Sequence, residues 1–163
     1  MDLISLSAVN TKSPYKIDSD SSGSFFFVTE KGRPYHVAFI EDPLFYEHGI
    51  YQYCLDTDVH AGADSHVHEV VVALMEEFFN SSAKGLLYIC DSMDGRQAAR
   101  NRLFNRWFNA YPHRDEYRLL QREVPYEGVL QYASLIVRKD HPELKPIIES
   151  FDRVLSNLEY AYK

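Results

Sequence analysis

The sequence predicts a single α+β domain: a mainly antiparallel sheet of about six strands with three helices, in the order βββ-α-β-α-ββ-α. Two observations predict this class. Short strand-like runs follow one another in pairs that tight turns can join, which is typical of antiparallel sheets. Three longer segments repeat apolar residues at spacings of three and four, as helices that pack on a sheet do. The 163 residues fit one domain, which would bury about two thirds of its unfolded surface.

The first half of the chain predicts a leader and three strands. Residues 1–23 are polar and predict an N-terminal leader, so the domain is expected to span residues 24–163. Three short runs of apolar and aromatic residues follow, and Gly32 in the first interval favours a hairpin. In the second run Tyr35 and Val37 belong to an alternating pattern that predicts one buried face. The expected strands comprise residues 25–29, 34–40 and 50–55.

The second half predicts three helices and three more strands. Asp94 and Gln97 have the spacing of a capping box at the start of the second helix. Asp140 and Glu143 repeat that spacing before the last helix. Residues 86–90 are almost wholly apolar, which is typical of a central strand. The expected helices comprise residues 65–79, 95–110 and 141–158, and the expected strands comprise residues 86–90, 117–124 and 131–137.

The net charge of −7 is unevenly distributed. Residues 1–90 hold 5 Lys and Arg against 13 Asp and Glu, whereas residues 91–163 hold 12 against 11. An acidic chain disfavours nucleic acid as a partner, because that affinity comes largely from neutralised phosphates. The 12 Tyr and 10 Phe suit half-buried strands.

The cysteine content and the N-terminus predict a cytoplasmic protein. Cys54 and Cys90 are expected to be reduced thiols, because two cysteines without a secretion signal do not make a disulfide framework. The first residues lack a basic segment followed by a continuous apolar one, so no signal peptide is expected. No run approaches the roughly 18 apolar residues of a transmembrane helix, and we expect no contact with a membrane.

Residues 86–108 carry the strongest candidate site, because a buried strand, an acidic turn and an arginine-rich helix follow one another there. On a helical wheel, Arg96 and Arg100 fall in the apolar half of the second helix. In one interpretation, Asp91 and Asp94 neutralise these arginines in structural ion pairs. In the other, the guanidinium groups and the helix N-terminus bind a phosphate or a carboxylate.

The same segment has two residue patterns that also occur in catalytic sites. Cys90 and Arg96 have the Cys-x5-Arg spacing of the cysteine phosphatase loop, in which a thiolate attacks phosphorus. The carboxylates of Asp91 and Asp94 in the intervening turn would repel a phosphate dianion, and the same pair is only a weak signal for magnesium. We therefore expect no catalytic residue, no bound metal and no cofactor.

Two further groups of side chains are candidates. Three histidines and two carboxylates lie between residues 60 and 69, but their spacing predicts a polar loop before a helix rather than a zinc site. Four arginines interleaved with aromatic residues form a candidate nucleic-acid surface, although the acidic residues among them favour an ordinary solvated face. These arginines are Arg102, Arg106, Arg118 and Arg122.

The strand-turn-helix segment also carries a family resemblance. It resembles a family of short bacterial proteins classed as a domain of unknown function, through the pattern LLYICDSxDGRQxxRNRLFNRWF over residues 86–108. The aromatic hairpin at residues 25–39 and the helix that ends at Asn80 are similar too, so the resemblance spans most of the chain. It implies a bacterial, intracellular, single-domain protein, and it implies no activity, cofactor or catalytic residue.

No set of acid, base and nucleophile emerges from the sequence. The sequence therefore favours a non-catalytic binding or regulatory module that associates with itself, as a homodimer, or with another protein. Tyr160 and Tyr162 are a candidate dimer contact. One alternative is a phosphate-ligand-binding protein or enzyme that uses the segment from Cys90 to Arg100, and another is a nucleic-acid-binding protein.

Overall fold

The computed structural model describes residues 4–57, 64–80, 85–90 and 93–161. Within them the chain forms four α-helices and seven strands. The helices are α1 (Leu6–Lys12), α2 (Ser65–Asn80), α3 (Gln97–Ala110) and α4 (Leu144–Ala161). The strands are β1 (Asp18–Ser19), β2 (Phe25–Val28), β3 (Pro34–Glu41), β4 (Ile50–Asp56), β5 (Gly85–Cys90), β6 (Tyr117–Tyr126) and β7 (Val129–Arg138). Short 3-10 turns occupy Tyr46–His48 and Arg114–Glu116.

The α+β class with a mostly antiparallel sheet is confirmed, but the predicted six strands and three helices fall short by one each. Both additional elements, α1 and β1, lie in residues 1–23, which the sequence analysis describes as a polar leader. The hydroxyl of Ser5 accepts a hydrogen bond from the amide of Ala8 at 3.4 Å and caps α1. Val9 and Ile17 are fully buried. So few apolar residues give no periodic pattern, which is why the sequence did not reveal these elements.

Two compact units share strand β4. The first comprises Met1–Ile40 and Tyr53–Ser82, and the second comprises Glu41–Gln52 and Ala83–Lys163. The strand order is β1-β2-β3-β4-β5-β7-β6. Strand β5 is paired on both sides, as the prediction of a central strand requires, with β4 parallel to it and β7 antiparallel.

The core of the first unit is aromatic. In the β2–β3 hairpin, Phe25 and Phe27 point to the same side as Val37 and Phe39, and all four are buried. The ring of Phe39 stacks on that of Phe78 in α2, with centroids 5.0 Å apart. The alternating pattern thus predicted the buried face of β3 correctly.

In the second unit the two helices lie on opposite faces of β6 and β7. Helix α4 covers the face that holds Leu87, Leu135 and Val137, where Ile147 and Phe151 complete a buried cluster. Side chains at the alternate positions of the strands contact α3 instead. The ring of Tyr88 in β5 stacks on Phe104 of α3 at 4.9 Å, and Gln121 in β6 donates a hydrogen bond to Asn105 Oδ1 of α3 at 2.6 Å.

Neither predicted capping box forms. Helix α3 begins at Gln97, and its N-cap residue is Arg96, whose side chain makes no capping bond. The side-chain Nε2 of Gln97 donates a hydrogen bond to the carbonyl of Leu130 at 3.2 Å. Before α4, Asp140 pairs with Arg138 instead. His141 takes the capping role there, because its Nδ1 accepts a hydrogen bond from the backbone amide of Glu143 at 2.9 Å. In both cases a nearby arginine offers the aspartate a charged donor, which binds a carboxylate more strongly than a neutral amide does.

Among the described residues, no helix combines the length and the apolar character needed to cross a membrane.

Candidate functional site

The junction between β5 and α3 brings Asp94 and Arg100 together. The Oδ2 atom of Asp94 accepts a hydrogen bond from Arg100 Nη1 at 2.7 Å, and its Oδ1 atom accepts one from the backbone amide of Arg96 at 3.0 Å. Gly95 turns the chain between them with a φ of 70°, a conformation that a residue without Cβ adopts at little cost. Asp94 therefore ties the chain reversal at Gly95 to the first turn of α3.

The electrostatics of this junction are those of an ion pair at the surface. The hydrogen bond from Arg100, followed by that from the amide of Arg96, lowers the pKa of the Asp94 carboxyl to about 2. The side chains of Arg100 and Asp94 are 32% and 40% exposed. Screening by water therefore limits what the pair contributes to stability.

Arg96 lies before α3 and not within its apolar half. Arg96 precedes α3 as its N-cap residue and is exposed, so its place on a helical wheel does not bury it. Asp91, the other carboxylate of the candidate site, lies outside the described residues. The structure therefore pairs Asp94 with Arg100 and places Arg96 exposed before the helix, and the two interpretations of the site both stay predictions.

Cys90 is the last residue of β5 and is only 1% exposed. Its register partner in β7 is Tyr132. A thiol so deeply buried does not meet a substrate unless the strand moves, and apolar burial makes a cysteine inert. The Cys-x5-Arg spacing is therefore not accompanied here by an accessible nucleophile.

The four arginines of the candidate nucleic-acid surface do not form one patch. Arg102 and Arg106 are exposed on α3. Arg122 instead binds α4, with Nη1 3.1 Å from Asp152 Oδ1 and Nη2 3.2 Å from the hydroxyl of Ser156. Arg118 precedes it by four residues in the same strand and so shares its side of the sheet. Two arginines thus lie on the helix that covers one face of β6, and two belong to the opposite face.

The histidine segment before α2 forms local pairs. Asp64 accepts from the hydroxyl of Tyr15 at 2.8 Å and from the amide of His66, and the Tyr15 bond lowers the pKa of the Asp64 carboxyl. His66 Nδ1 lies 2.8 Å from Glu69 Oε2, and this bond raises the pKa of the His66 imidazole. His60 lies outside the described residues. Within the described part of the chain, no group of three or more His, Cys, Asp or Glu is placed to hold a metal ion.

The second unit contains a hydrogen-bonded network of three side chains that the sequence does not predict. His48 Nε2 lies 3.2 Å from the Ser150 hydroxyl, and His48 Nδ1 lies 3.4 Å from Glu143 Oε2. This order of carboxylate, imidazole and hydroxyl is that of a hydrolytic triad. Ser150 is only 7% exposed, however, and its Oγ also accepts a hydrogen bond from Arg153 at 3.3 Å. In the middle of a helix its own amide serves the helix and offers no oxyanion site. The network ties the Tyr46–His48 turn to α4.

The first unit presents an apolar sheet surface that the sequence analysis also missed. The side chains of Phe26, Val28 and Ile40 project from the side of β2 and β3 opposite to the aromatic core and are 36%, 55% and 55% exposed. His36, the register partner of Phe26, stacks on its ring at 6.1 Å. We call these four residues the open face. The available signal was that all four residues of β2 are apolar, although a strand with one solvated face needs only every second one.

The predicted dimer contact at Tyr160 and Tyr162 lies outside the side chains that the structure describes.

A profile of DUF6169, a family of unknown function, matches residues 63–153, which is more than half of the chain. No curated protein and no solved structure matches the chain. The resemblance to a family of unknown function is thereby confirmed, while the bacterial and cytoplasmic origin stays a prediction.

Proposed function

We propose that this chain, which belongs to DUF6169, a family of unknown function, is a non-catalytic binding module. It contacts another protein through the open face. The observation that carries this proposal is the exposure of Phe26, Val28 and Ile40 on one side of a two-stranded surface. Exposed apolar side chains that share one side of a sheet are candidates for an interaction site.

Charge supports a partner with a basic margin. Asp18, the register partner of Phe26, has a side chain that is 47% exposed, and its carboxylate is already paired with Lys16 Nζ at 3.1 Å. Asp56 in β4 is exposed and lies close enough to Cys54 to raise the pKa of that thiol, after the larger effect of burial. The carboxylate of Asp56, unlike that of Asp18, has no ion pair among the described contacts, and it favours a partner that brings a lysine or an arginine to this strand.

The test places a photo-crosslinking amino acid at position 40 or, as a control, at position 129, in the cells that make the protein. Val129 is also exposed, at 44%, but lies in the β6–β7 hairpin. We expect a protein adduct at position 40 that is missing at position 129. The identified partner, once purified, should bind Val28→Lys at least about tenfold more weakly, since the apolar contact is replaced by a charge, and should bind Val129→Lys normally. Equal adducts at both positions, or unchanged affinity for Val28→Lys, would reject the proposal.

A second candidate function is the binding of a phosphate-bearing ligand at the β5–α3 junction. It is favoured by the exposed Arg96 at the start of a 14-residue helix, because a guanidinium and the positive end of the helix dipole attract anions. In a thermal-shift experiment, pyrophosphate and nucleotides should raise the Tm of the wild type. A ligand at about 100 times its Kd adds roughly 2.7 kcal/mol of stability. The shift should vanish in Arg96→Ala and persist in Arg102→Ala, an exposed arginine of the same helix. No shift, or the same shift in both variants, would exclude this site.

A further inference from the structure

The outer edge of β6 is a long, regular strand edge. Strand β6 stands last in the strand order, and no described strand pairs with its outer side. All ten residues from Tyr117 to Tyr126 pair one-to-one with β7, so no bulge interrupts the strand. Proteins usually protect such an edge with short strands, bulges, proline or charged side chains, lysine above all; β6 is ten residues long without a bulge or a lysine, and its one proline stands near its end.

The hairpin turn fixes which backbone groups point outward. Glu127 and Gly128, the two residues of the turn, both have positive φ, 49° and 78°, as a type I′ turn requires. In such a hairpin Tyr126 and Val129 form a hydrogen-bonded pair, and bonded pairs then recur at every second residue. The amide of Lys139, directly after β7, donates to the carbonyl of Glu116 at 2.9 Å. This bond continues the same series, because residue 116 is also even-numbered. Even-numbered residues of β6 therefore bond to β7, and odd-numbered residues direct their amides and carbonyls outward.

The outward groups end at a proline. Pro125 occupies an odd position, so its missing N–H costs the β6–β7 ladder nothing, which is the position where an edge strand tolerates proline. The amide of Tyr117, at the other end, donates to the carbonyl of Arg114. The outward donors between them are the amides of Leu119, Gln121 and Glu123.

This edge is complementary to itself. When a second copy of β6 lies antiparallel with Gln121 opposite Gln121, Leu119 of each copy faces Glu123 of the other. Each outward amide then meets an outward carbonyl, which gives six hydrogen bonds. In the same register Arg118 faces Val124 and Arg122 faces Leu120, so no like charges are opposed. A shift of the centre by one residue in either direction would oppose Arg118 to Arg122, or Arg122 to its own copy, which is unfavourable.

We propose that the protein forms a twofold-symmetric dimer through antiparallel pairing of the β6 strands of two copies, centred on Gln121. The pairing is isologous, as contacts in closed dimers are. It also covers Leu119 and Leu120, which are half-buried in the single chain. This interface lies in the second unit and is independent of the open face, so either proposal can fail while the other stands.

The primary test compares Glu123→Pro with Glu123→Ala. Glu123 is exposed, and proline at this odd position removes an outward amide while the ladder to β7 stays complete. Alanine removes the same side chain and keeps the amide. By sedimentation velocity at micromolar to submillimolar concentrations, we expect the wild type and Glu123→Ala to approach twice the 19.0 kDa of one chain. We expect the dissociation constant of Glu123→Pro to rise at least about tenfold, because two symmetry-related hydrogen bonds are lost.

A second pair of variants tests the register and does not depend on the proline. Leu119→Lys would face Glu123 of the other copy and tighten the dimer, whereas Leu119→Glu would face the same carboxylate and weaken it. Ile40→Lys, on the open face, should leave the dimer unchanged. A wild type that stays monomeric throughout the concentration range would overturn the proposal. Dimerisation that ignores both Glu123→Pro and the charge at position 119 would overturn it as well.

Discussion

At the scale of single residues, Asp94 makes the clearest prediction about pH. Its carboxyl has a pKa of about 2 in the folded protein against 3.8 ordinarily. Because the folded-state pKa is lowered, the ionised carboxylate stabilises the fold fully above pH 3.8, and this contribution is lost as the pH falls through about 2. Asp94→Asn keeps an oxygen for the amide of Arg96 but removes the charge that Arg100 binds. We expect its Tm to lie slightly below that of the wild type at pH 7 and to converge with it near pH 2.

The control for this prediction is the same substitution in an Arg100→Gln background. Without the guanidinium, Asp94→Asn should change the Tm much less, and the change should vary little with pH. Thermal unfolding of the four proteins between pH 2 and pH 7 completes the double-mutant cycle. Equal effects of Asp94→Asn in both backgrounds would show that the ion pair does not set the stability of the junction.

Gly85 is a residue whose lack of a side chain is required by packing. A Cβ at this position would overlap the Cδ1 of Ile50 and would lie 3.1 Å from Val137 Cγ2, and both neighbours are fully buried. Overpacking of this kind costs about 1–3 kcal/mol, so Gly85→Ala should lower the free energy of unfolding by that amount in urea denaturation. Ile50→Val removes the overlapping methyl group. In the Ile50→Val background, Gly85→Ala should therefore cost less than in the wild type, whereas additive costs would mean that this contact is not the cause.

At the scale of elements, α3 is anchored by a narrow contact. Phe104 is the one residue of this helix that is buried, and its ring stacks on Tyr88 of β5. We expect Phe104→Ala to destabilise the protein by about 3 kcal/mol and Leu103→Ala, at a half-buried position, to cost clearly less. Hydrogen exchange should show the amides of α3 losing protection before those of α4. Equal costs for the two variants would mean that the contact extends around the helix.

The elements that the sequence predicts well are those whose periodicity is set by one broad contact. Val67, Val71, Leu74 and Phe78 recur at helical spacing, and all four are buried in α2. The wheel of α3 suggested an equally broad apolar half, but Ala99 and Ala110, which belong to it, are exposed. Alanine buries too little surface to reveal whether its position is inside or outside.

The candidate site was predicted less completely, because spacing does not choose between donors within reach of one carboxylate. Asp94 stands three residues before Gln97, which suggested a capping box, yet it binds the amide of Arg96 and the side chain of Arg100. The open face was missed for a related reason. Both sides of β2 are apolar, and the contacts of Phe27 with Tyr15 and Tyr35, which place it inside, cannot be read from that pattern.

At the scale of the whole molecule, the boundary between the two units falls inside strand β4. Ile50 is fully buried in the cluster of the second unit, and Tyr53, three residues later, is 3% exposed beside Phe39 in the first. The two buried residues are therefore three positions apart on one continuous strand. The chain should therefore unfold in one cooperative transition, although it divides into two compact units.

The two cysteines allow a direct measurement of this cooperativity, because Cys54 belongs to the first unit and Cys90 to the second. Burial raises the pKa of the Cys54 thiol, and Cys90 is 1% exposed, so both should react slowly with a thiol reagent in the native state. In the single-cysteine variants Cys54→Ala and Cys90→Ala, we expect the labelling rates to rise with urea along parallel curves, since the same opening exposes both thiols. If Cys54 reacts at lower urea concentration and with a shallower dependence than Cys90, the first unit opens alone, and β4 does not couple the two units.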